Sequence, residues 1–331
     1  MLPLPIFDYH RPRTLAEALG LLASLGPRAQ IIAGGTDVLP NMKQGLFEPE
    51  HVVSVARLEE LRGIALVHDG GDSLLIGAGM KLGEIADSLL VQRLAPALAQ
   101  ATGAVGGPHH RAMGTLGGNI CLDTRCRYYN QTYFWRKALG YCLKKDGTVC
   151  HVVKGGAKCV AAASNDSAPA LIALDAEIRI LGPSGERRVP ARDFYTADGI
   201  KNTVLAAGEI VVRVAVPIVP GRRSAFEKLR KRGAIDFPLL SVAARMDKDA
   251  GHQLTAADVV VSALGARPRR IRAATKVGGP GSPAPERLAE TLAQAAYSEC
   301  KPLTNLDDEA EWRREMVPVF VEKAVRRALG G

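Results

Sequence analysis

The sequence predicts an α+β fold in two domains, and three observations carry that expectation. The chain has 331 residues, 47% of them hydrophobic, which is core enough for two or three domains. Short β-branched runs bounded by glycine recur along the first two thirds. The last third puts its strands first and its helices last, unlike an alternating βαβ array. No run of about 18 uncharged apolar residues exists, so a membrane span is excluded. The N-terminus, MLPLPIFDYHRPRT, lacks a basic segment leading into an apolar run and lacks a small-residue cleavage site, so the expected compartment is the cytoplasm.

The elements follow in order. Thr14 and Glu17 stand at capping-box spacing, leucines and alanines follow at helical period, and Gly26 ends that helix. The β-branched pair Ile31 and Ile32 then runs into Gly34-Gly35-Thr36-Asp37, a strand-to-loop transition. HVVSVA (51–56) and SLLIGAG (73–79) read as short strands, and Lys81 to Ala104 reads as helical. A second glycine-rich loop follows at Gly114-Thr115-Leu116-Gly117-Gly118-Asn119, with His109 and His110 as loop residues ahead of it. APALIALDAEIRIL gives a helical turn and a strand, and IVVRVAVPI (210–218) another strand. Val219–Arg223 is a candidate boundary. Beyond it PLLSVAARMD and DVVVSALG alternate as sheet strands, and helices at roughly 285–297 and 307–329 close the chain.

Residues 124–159 differ from their surroundings. They hold Tyr128, Tyr129, Tyr133, Phe134, Trp135 and Tyr141, eight basic residues, and Asp146 as the one acid, a composition that marks an insertion. Tyr128, Tyr129 and Trp135 read as packing for it. Cys126, Cys142, Cys150 and Cys159 are separated by 15, 7 and 8 residues. Structural zinc sites pair ligands across two to four residues, because one tight knuckle presents two thiolates. Wide spacing instead suits a four-thiolate iron–sulfur cluster, whose charge Arg125, Arg127, Arg136, Lys137, Lys144, Lys145, Lys154 and Lys158 would offset. Zinc and unligated buried thiols remain the alternatives at this point. Cys121 and Cys300 read as core residues.

Backbone N–H groups converging in a glycine loop can hold phosphate, and two loops about 80 residues apart could clamp a dinucleotide. No Gly-Lys dipeptide occurs, which removes the Walker loop, and no GxGxxG joins a strand to a helix, which removes the Rossmann fingerprint. The net charge of +9 raises nucleic acid as a partner, through GRRSAFEKLRKR (221–232) and RPRRIR (267–272). No recognition-helix or zinc-finger pattern accompanies those runs, so they read as solvated faces and no nucleic-acid partner is expected.

AGGTDVLPNM, GTLGGNICLDTRC at 114–126, SNDSAPALIALDAEI at 164–178 and AFEKLRKRGAIDFPLLSVA at 225–243 together resemble the FAD-binding medium subunits of the xanthine oxidase family of molybdenum enzymes. The resemblance covers nearly the whole chain. It implies a two-subdomain FAD-binding domain of the vanillyl-alcohol oxidase/CO dehydrogenase flavoprotein type over 1–218 (about 1–56 and 57–218), with an iron–sulfur insertion at 124–163, followed by an α+β C-terminal domain over 219–331. In most members the second glycine loop runs within about ten residues to an Asp before a Pro-Ala-Leu-type helix; here that Asp is Asp166, displaced by about 40 residues. A cysteine-bearing insertion at this point resembles the 4-hydroxybenzoyl-CoA reductase branch, and implies a [4Fe–4S] cluster on Cys126, Cys142, Cys150 and Cys159.

Carried over by position, the first FAD loop is Ile32, Ala33, Gly34, Gly35, Thr36 and Asp37, and the second is Thr115, Gly117, Gly118 and Asn119. Asp166 is expected beside them. Lys228 resembles the family's flavin-contacting lysine, Asp123 is a further FAD candidate or a turn cap, and Phe237 stands where relatives carry an aromatic or small residue. The implied function is electron transfer, with no catalytic residue of its own. Reduced ferredoxin would donate to the cluster, FAD would pass electrons on, and a small [2Fe–2S] subunit would deliver them to a large molybdopterin-binding subunit that reduces 4-hydroxybenzoyl-CoA to benzoyl-CoA. The implied assembly is a dimer of heterotrimers. The alternative is the FAD subunit of a related hydroxylase, and a zinc-bearing basic binding module is the reading outside the family.

Overall fold

The computed structural model describes residues 2–68, 71–279, 282, 284–306 and 309–330. Three sheets organise them. The first is parallel, in the order β1-β3-β2, from β1 (Asp8–His10), β2 (Ala29–Ile32) and β3 (His51–Ser54). The second has the order β4-β5-β8-β6-β7, from β4 (Ile64–His68), β5 (Asp72–Gly77), β6 (Glu177–Gly182), β7 (Gly185–Pro190) and β8 (Ile210–Pro217). The third is antiparallel, β12-β11-β10-β9, from β9 (Arg223–Leu229), β10 (Leu240–Lys248), β11 (Leu254–Ser262) and β12 (Arg269–Arg270). No helix among the described residues is long and apolar enough to cross a membrane.

Local chemistry explains where elements start and stop. Helix Leu15–Leu25 begins at Thr14, whose hydroxyl accepts from the Glu17 N–H at 3.1 Å, and ends at Gly26 with φ 58°. The continuous helix expected over 81–104 is three pieces, Leu82–Asp87, Leu89–Leu94 and Pro96–Gly103. Ser88 ends one and caps the next through Val91 N, and Pro96, lacking an N–H, opens the third. His109 and His110 lie in the short helix Pro108–Met113 rather than in a loop, because Pro108 occupies its first position. The C-terminal helices are Pro285–Glu299 and Ala310–Leu329; the expected start at 307 lies outside the described residues.

The basic run at 221–232 is not a solvated face. Its middle is β9, where Ala225 and Phe226 are buried and Glu227 pairs with Arg327 at 3.0 Å and Lys323 at 2.9 Å. β9 is a sheet edge, and helix Pro96–Gly103 covers it: Gln100 accepts from Phe226 N at 2.8 Å and Ser224 accepts from Ala97 N at 3.2 Å. In the second basic run, Arg270 binds the fully buried Asp258 at 2.5 Å. The two C-terminal helices pack on the other face of this sheet. Arg313 is fully buried there, donating to the carbonyls of Leu239, Ala263 and Leu303.

The insertion leaves the fold and returns to it at one stem, and Arg127 N to Asn305 O at 2.7 Å and Gly199 N to Cys159 O at 2.9 Å pin it elsewhere. Arg125 N donates to Ala162 O at 2.9 Å and Ala162 N returns the bond to Arg125 O at 2.7 Å, so both ends of the cysteine segment leave from one antiparallel bridge. Within it, Tyr133–Ala138 forms one short helix and the rest is turn.

Gly20 sits exposed inside helix Leu15–Leu25, and a methyl group there meets nothing within 4 Å. Gly20→Ala is expected to raise the stability of the chain by about 0.5–1 kcal/mol. Chemical denaturation of the two proteins measures it.

Candidate functional site

A cavity of about 660 Å³ opens where the parallel sheet meets the second sheet. Its walls are the turn at 26–31, the first glycine loop, Ala78 and Gly79, the second glycine loop, Asp166, residues 205–211 and residues 235–237. That volume is in the range of a cofactor site.

The two glycine loops form one wall because their backbones touch. A methyl group on Gly34 would lie 2.0 Å from the Met113 carbonyl oxygen, so only glycine fits there. Gly35 adopts φ 72°. The second loop is fastened below by Gly117 N to Ala78 O at 2.8 Å and Leu116 N to Met80 O at 3.0 Å. Thr115 caps the short helix Leu116–Ile120 through Gly118 N at 3.1 Å. Asn119 accepts from Ser167 N at 3.1 Å, tying this loop to the helix that follows Asp166.

Most residues expected to hold the cofactor line this cavity: Ala33, Gly34, Gly35, Thr36, Asp37, Thr115, Gly117, Gly118, Asn119 and Asp166. Three do not. Ile32 turns into the core, since strand side chains alternate and Ile31 and Ala33 take the cavity side. Asp123 accepts from Lys144 Nζ at 2.6 Å and Thr124 N at 2.8 Å, the turn-capping role rather than a cavity contact. Lys228 stands behind the wall, its Nζ 2.6 Å from Asp166 Oδ2 and 3.0 Å from Ala104 O. Burial pushes the Asp166 carboxyl up to about 6 although Lys228 draws it down, and its Oδ1 has no partner within the protein. A buried acceptor facing a cavity fits a ligand that donates there.

The structure adds the wall residues Ala206-Ala207-Gly208, which carry no sequence signal, and places Ile235 and Asp236 of the run 225–243 in the same cavity. Phe237 is a wall residue too, with the Arg125 guanidinium 3.8 Å from its ring centroid. Arg125 also pairs with Asp37 at 3.4 Å; burial raises Asp37 to about 6 against the pull of Arg125. Cys121 is not a core residue: its exposed surface belongs to the cavity wall, where desolvation pushes its thiol up to about 12. Cys300 is buried in the C-terminal core.

Cys126, Cys142, Cys150 and Cys159 are all buried and line one small second cavity with Tyr128, Tyr129, Lys144 and His151. Backbone N–H groups point at two sulfurs, Val153 at Cys150 (3.5 Å) and Ala161 at Cys159 (3.4 Å). Burial pushes Cys126 up to about 12, and the neighbouring cysteines add to the rise. Burial likewise raises Cys159, while the Ala161 N–H and Lys144 oppose it. No group of three His, Cys, Asp or Glu side chains among the described residues is placed to hold a single metal ion. Trp135 lies at the surface instead of at this cavity, and of the eight basic residues in the segment Lys144 is the one that lines it. The others are placed elsewhere; Arg136 donates to the Gln44 and Gly45 carbonyls.

The family described as FAD binding domain in molybdopterin dehydrogenase matches residues 5–219. This chain belongs to that family. The CO dehydrogenase flavoprotein C-terminal domain matches residues 224–328. Among relatives, the carbon monoxide dehydrogenase medium chain of Hydrogenophaga pseudoflava is 29% identical over 99% of this chain and 98% of its own. The xanthine dehydrogenase FAD-binding subunit of Escherichia coli O157:H7 is 28% identical over 97% and 96%. The aldehyde oxidoreductase FAD-binding subunit PaoB of Escherichia coli K12 is 33% identical over 81% and 84%. The solved carbon monoxide dehydrogenase of Hydrogenophaga pseudoflava that lacks the Mo-pyranopterin moiety superposes with a TM-score of 0.78 at 28% identity over 98% of both chains. The α+β architecture is thus that of a molybdopterin-dehydrogenase flavoprotein, an FAD-binding medium subunit in the xanthine oxidase family, and its relatives are oxidoreductase subunits.

Gly34→Ala must part the two loops. A core overpacking cost of about 1–3 kcal/mol corresponds to roughly a tenfold to hundredfold loss of FAD affinity. Fluorescence titration of the apoprotein with FAD checks it, with Gly20→Ala as the variant expected to bind normally.

Proposed function

We propose that this molybdopterin-dehydrogenase flavoprotein is the electron-transferring subunit of a complex of the 4-hydroxybenzoyl-CoA reductase kind, with a [4Fe–4S] cluster in its insertion. The observation that carries the reading is the alternation at 125–126. Arg125 lines the first cavity and Cys126 the second, so one peptide unit joins the two walls. FAD supplies a two-electron store that exchanges single electrons, and a four-thiolate cluster supplies a single-electron relay.

The chain's own groups divide the work. Ala33–Asp37 would present backbone N–H groups to the pyrophosphate, and the second loop, whose Leu116, Gly117, Gly118 and Asn119 N–H groups are bonded within the protein, would form the facing wall. Asp166 accepts from the cofactor through Oδ1, and Lys228 fixes the other carboxylate oxygen. The four cysteines hold the cluster, and the Val153 and Ala161 N–H groups stabilise charge on two of its sulfur ligands. Substrate chemistry belongs to partners: by likeness to the relatives, a large molybdopterin-binding subunit and a small [2Fe–2S] subunit, paired as a dimer of heterotrimers. Reduced ferredoxin is the donor, and an excess of 43 basic over 34 acidic side chains suits an acidic one. A second reading rests on the names of the relatives, which are subunits of a carbon monoxide dehydrogenase, a xanthine dehydrogenase and an aldehyde oxidoreductase. In it the same flavin site serves a hydroxylase, and electrons leave the molybdenum partner.

Iron, zinc and flavin analysis of anaerobically purified protein tests the cluster. The expected result is about four irons and one FAD per chain, the count of one cubane, with Cys150→Ser losing the iron and keeping the flavin. Zinc, or no metal, would overturn the assignment.

Asp166 makes FAD binding depend on pH in a fixed direction. Only the ionised carboxylate accepts fully, so affinity is greatest well above pH 6 and falls as Asp166 takes a proton through about pH 6. Lys228→Met removes the charge that favours ionisation. The midpoint of FAD release then moves to higher pH, which fluorescence titrations across pH 5–8 would register.

A further inference from the structure

Among the described residues lining the cysteine cavity, Lys144 is the one side chain of fixed positive charge. Its side chain is 5% exposed, and Nζ donates to Asp123 Oδ1 at 2.6 Å, Thr124 Oγ1 at 2.7 Å and Gly199 O at 2.5 Å. The Tyr129 ring centroid lies 4.6 Å from the same nitrogen. Those three acceptors belong to both flanks of the site. Asp123 and Thr124 lead into the stem and Cys126. Gly199 N donates to Cys159 O at 2.9 Å, and a methyl group on Gly199 would lie 2.8 Å from Cys159 Sγ. The ammonium is therefore fixed in place, and its counter-charge, Asp123, does not line the cavity. His151, the other basic side chain in the wall, donates its ring nitrogen to Tyr141 O at 2.5 Å.

We propose that Lys144 is a positioning residue that raises the reduction potential of the four-cysteine site. This rests on the cluster assignment above. A cluster held by four thiolates is anionic and gains one further negative charge when it accepts an electron from an external donor. A buried cation beside it is weakly screened and stabilises the reduced form more than the oxidised one. Asp123 acts in the opposite sense, by neutralising Lys144.

The test is a dye-mediated redox titration of the anaerobically purified full chain and its variants, followed by the electron paramagnetic resonance of the reduced site, with iron content measured on each. Lys144→Gln is expected to keep its iron and move the potential negative. Lys144→Arg is expected to lie nearer the wild type, and Asp123→Asn to move the potential positive. A Lys144→Gln protein with full iron and an unchanged potential overturns the proposal and leaves the cluster assignment standing. A wild-type chain without iron overturns both. If Lys144→Gln loses its iron, Asp123→Asn decides: a positive shift supports the proposal, and no shift or a negative one overturns it.

Discussion

The flavin site depends on two stretches of backbone, about 80 residues apart in sequence, pressed together where Gly34 meets the Met113 carbonyl. Side chains cannot occupy that contact, so the wall is built of N–H groups and carbonyls that approach a ligand closely. The same contact fixes the depth of the cavity. The first loop is carried on β2, the second is bonded to the turn after β5, and neither can move without opening a gap in the wall. Asp166 and Lys228 then close the C-terminal side, where β9 brings the lysine up beneath the carboxylate.

The second constraint is the stem at Arg125 and Ala162. Because these two residues exchange backbone bonds, the cysteine segment is a closed loop, and the flavoprotein fold runs on from β5 to β6 around it. The change of side comes at 125–126: Cys121, Leu122 and Arg125 line one cavity and Cys126 lines the other. Each cavity has its own fixed ion pair, Asp37 with Arg125 and Asp123 with Lys144, so the basic excess of the insertion has specific partners near the stem.

Much of this was legible in the residues. The cap at Thr14 and the glycine loops each combine residue types with a spacing that one local structure satisfies, and the four cysteines that stand apart in the sequence line one cavity. Alternation along AQIIA puts the Ile32 side chain on the opposite face from Ala33, so the motif carried across whole includes one residue whose side chain lies in the core. Asp123 and Asp166 look alike as acids following a glycine loop. What separates them is Lys144, 21 residues from Asp123, whose approach depends on how the insertion folds. The wall at 205–209 carries no signal, because a loop there need only come close, which composition does not encode. The run at 221–232 misled because basic ends flank the buried Ala225 and Phe226 of β9.

The proposed four-cysteine cluster would feed the flavin across the peptide between Arg125 and Cys126. The most direct test is the rate of flavin bleaching by reduced ferredoxin in the full chain, compared with Cys150→Ser loaded with the same FAD. Rapid bleaching is expected in the wild type and its loss in the variant, with direct chemical reduction by dithionite retained in both. Equal bleaching by ferredoxin in the two proteins would contradict it.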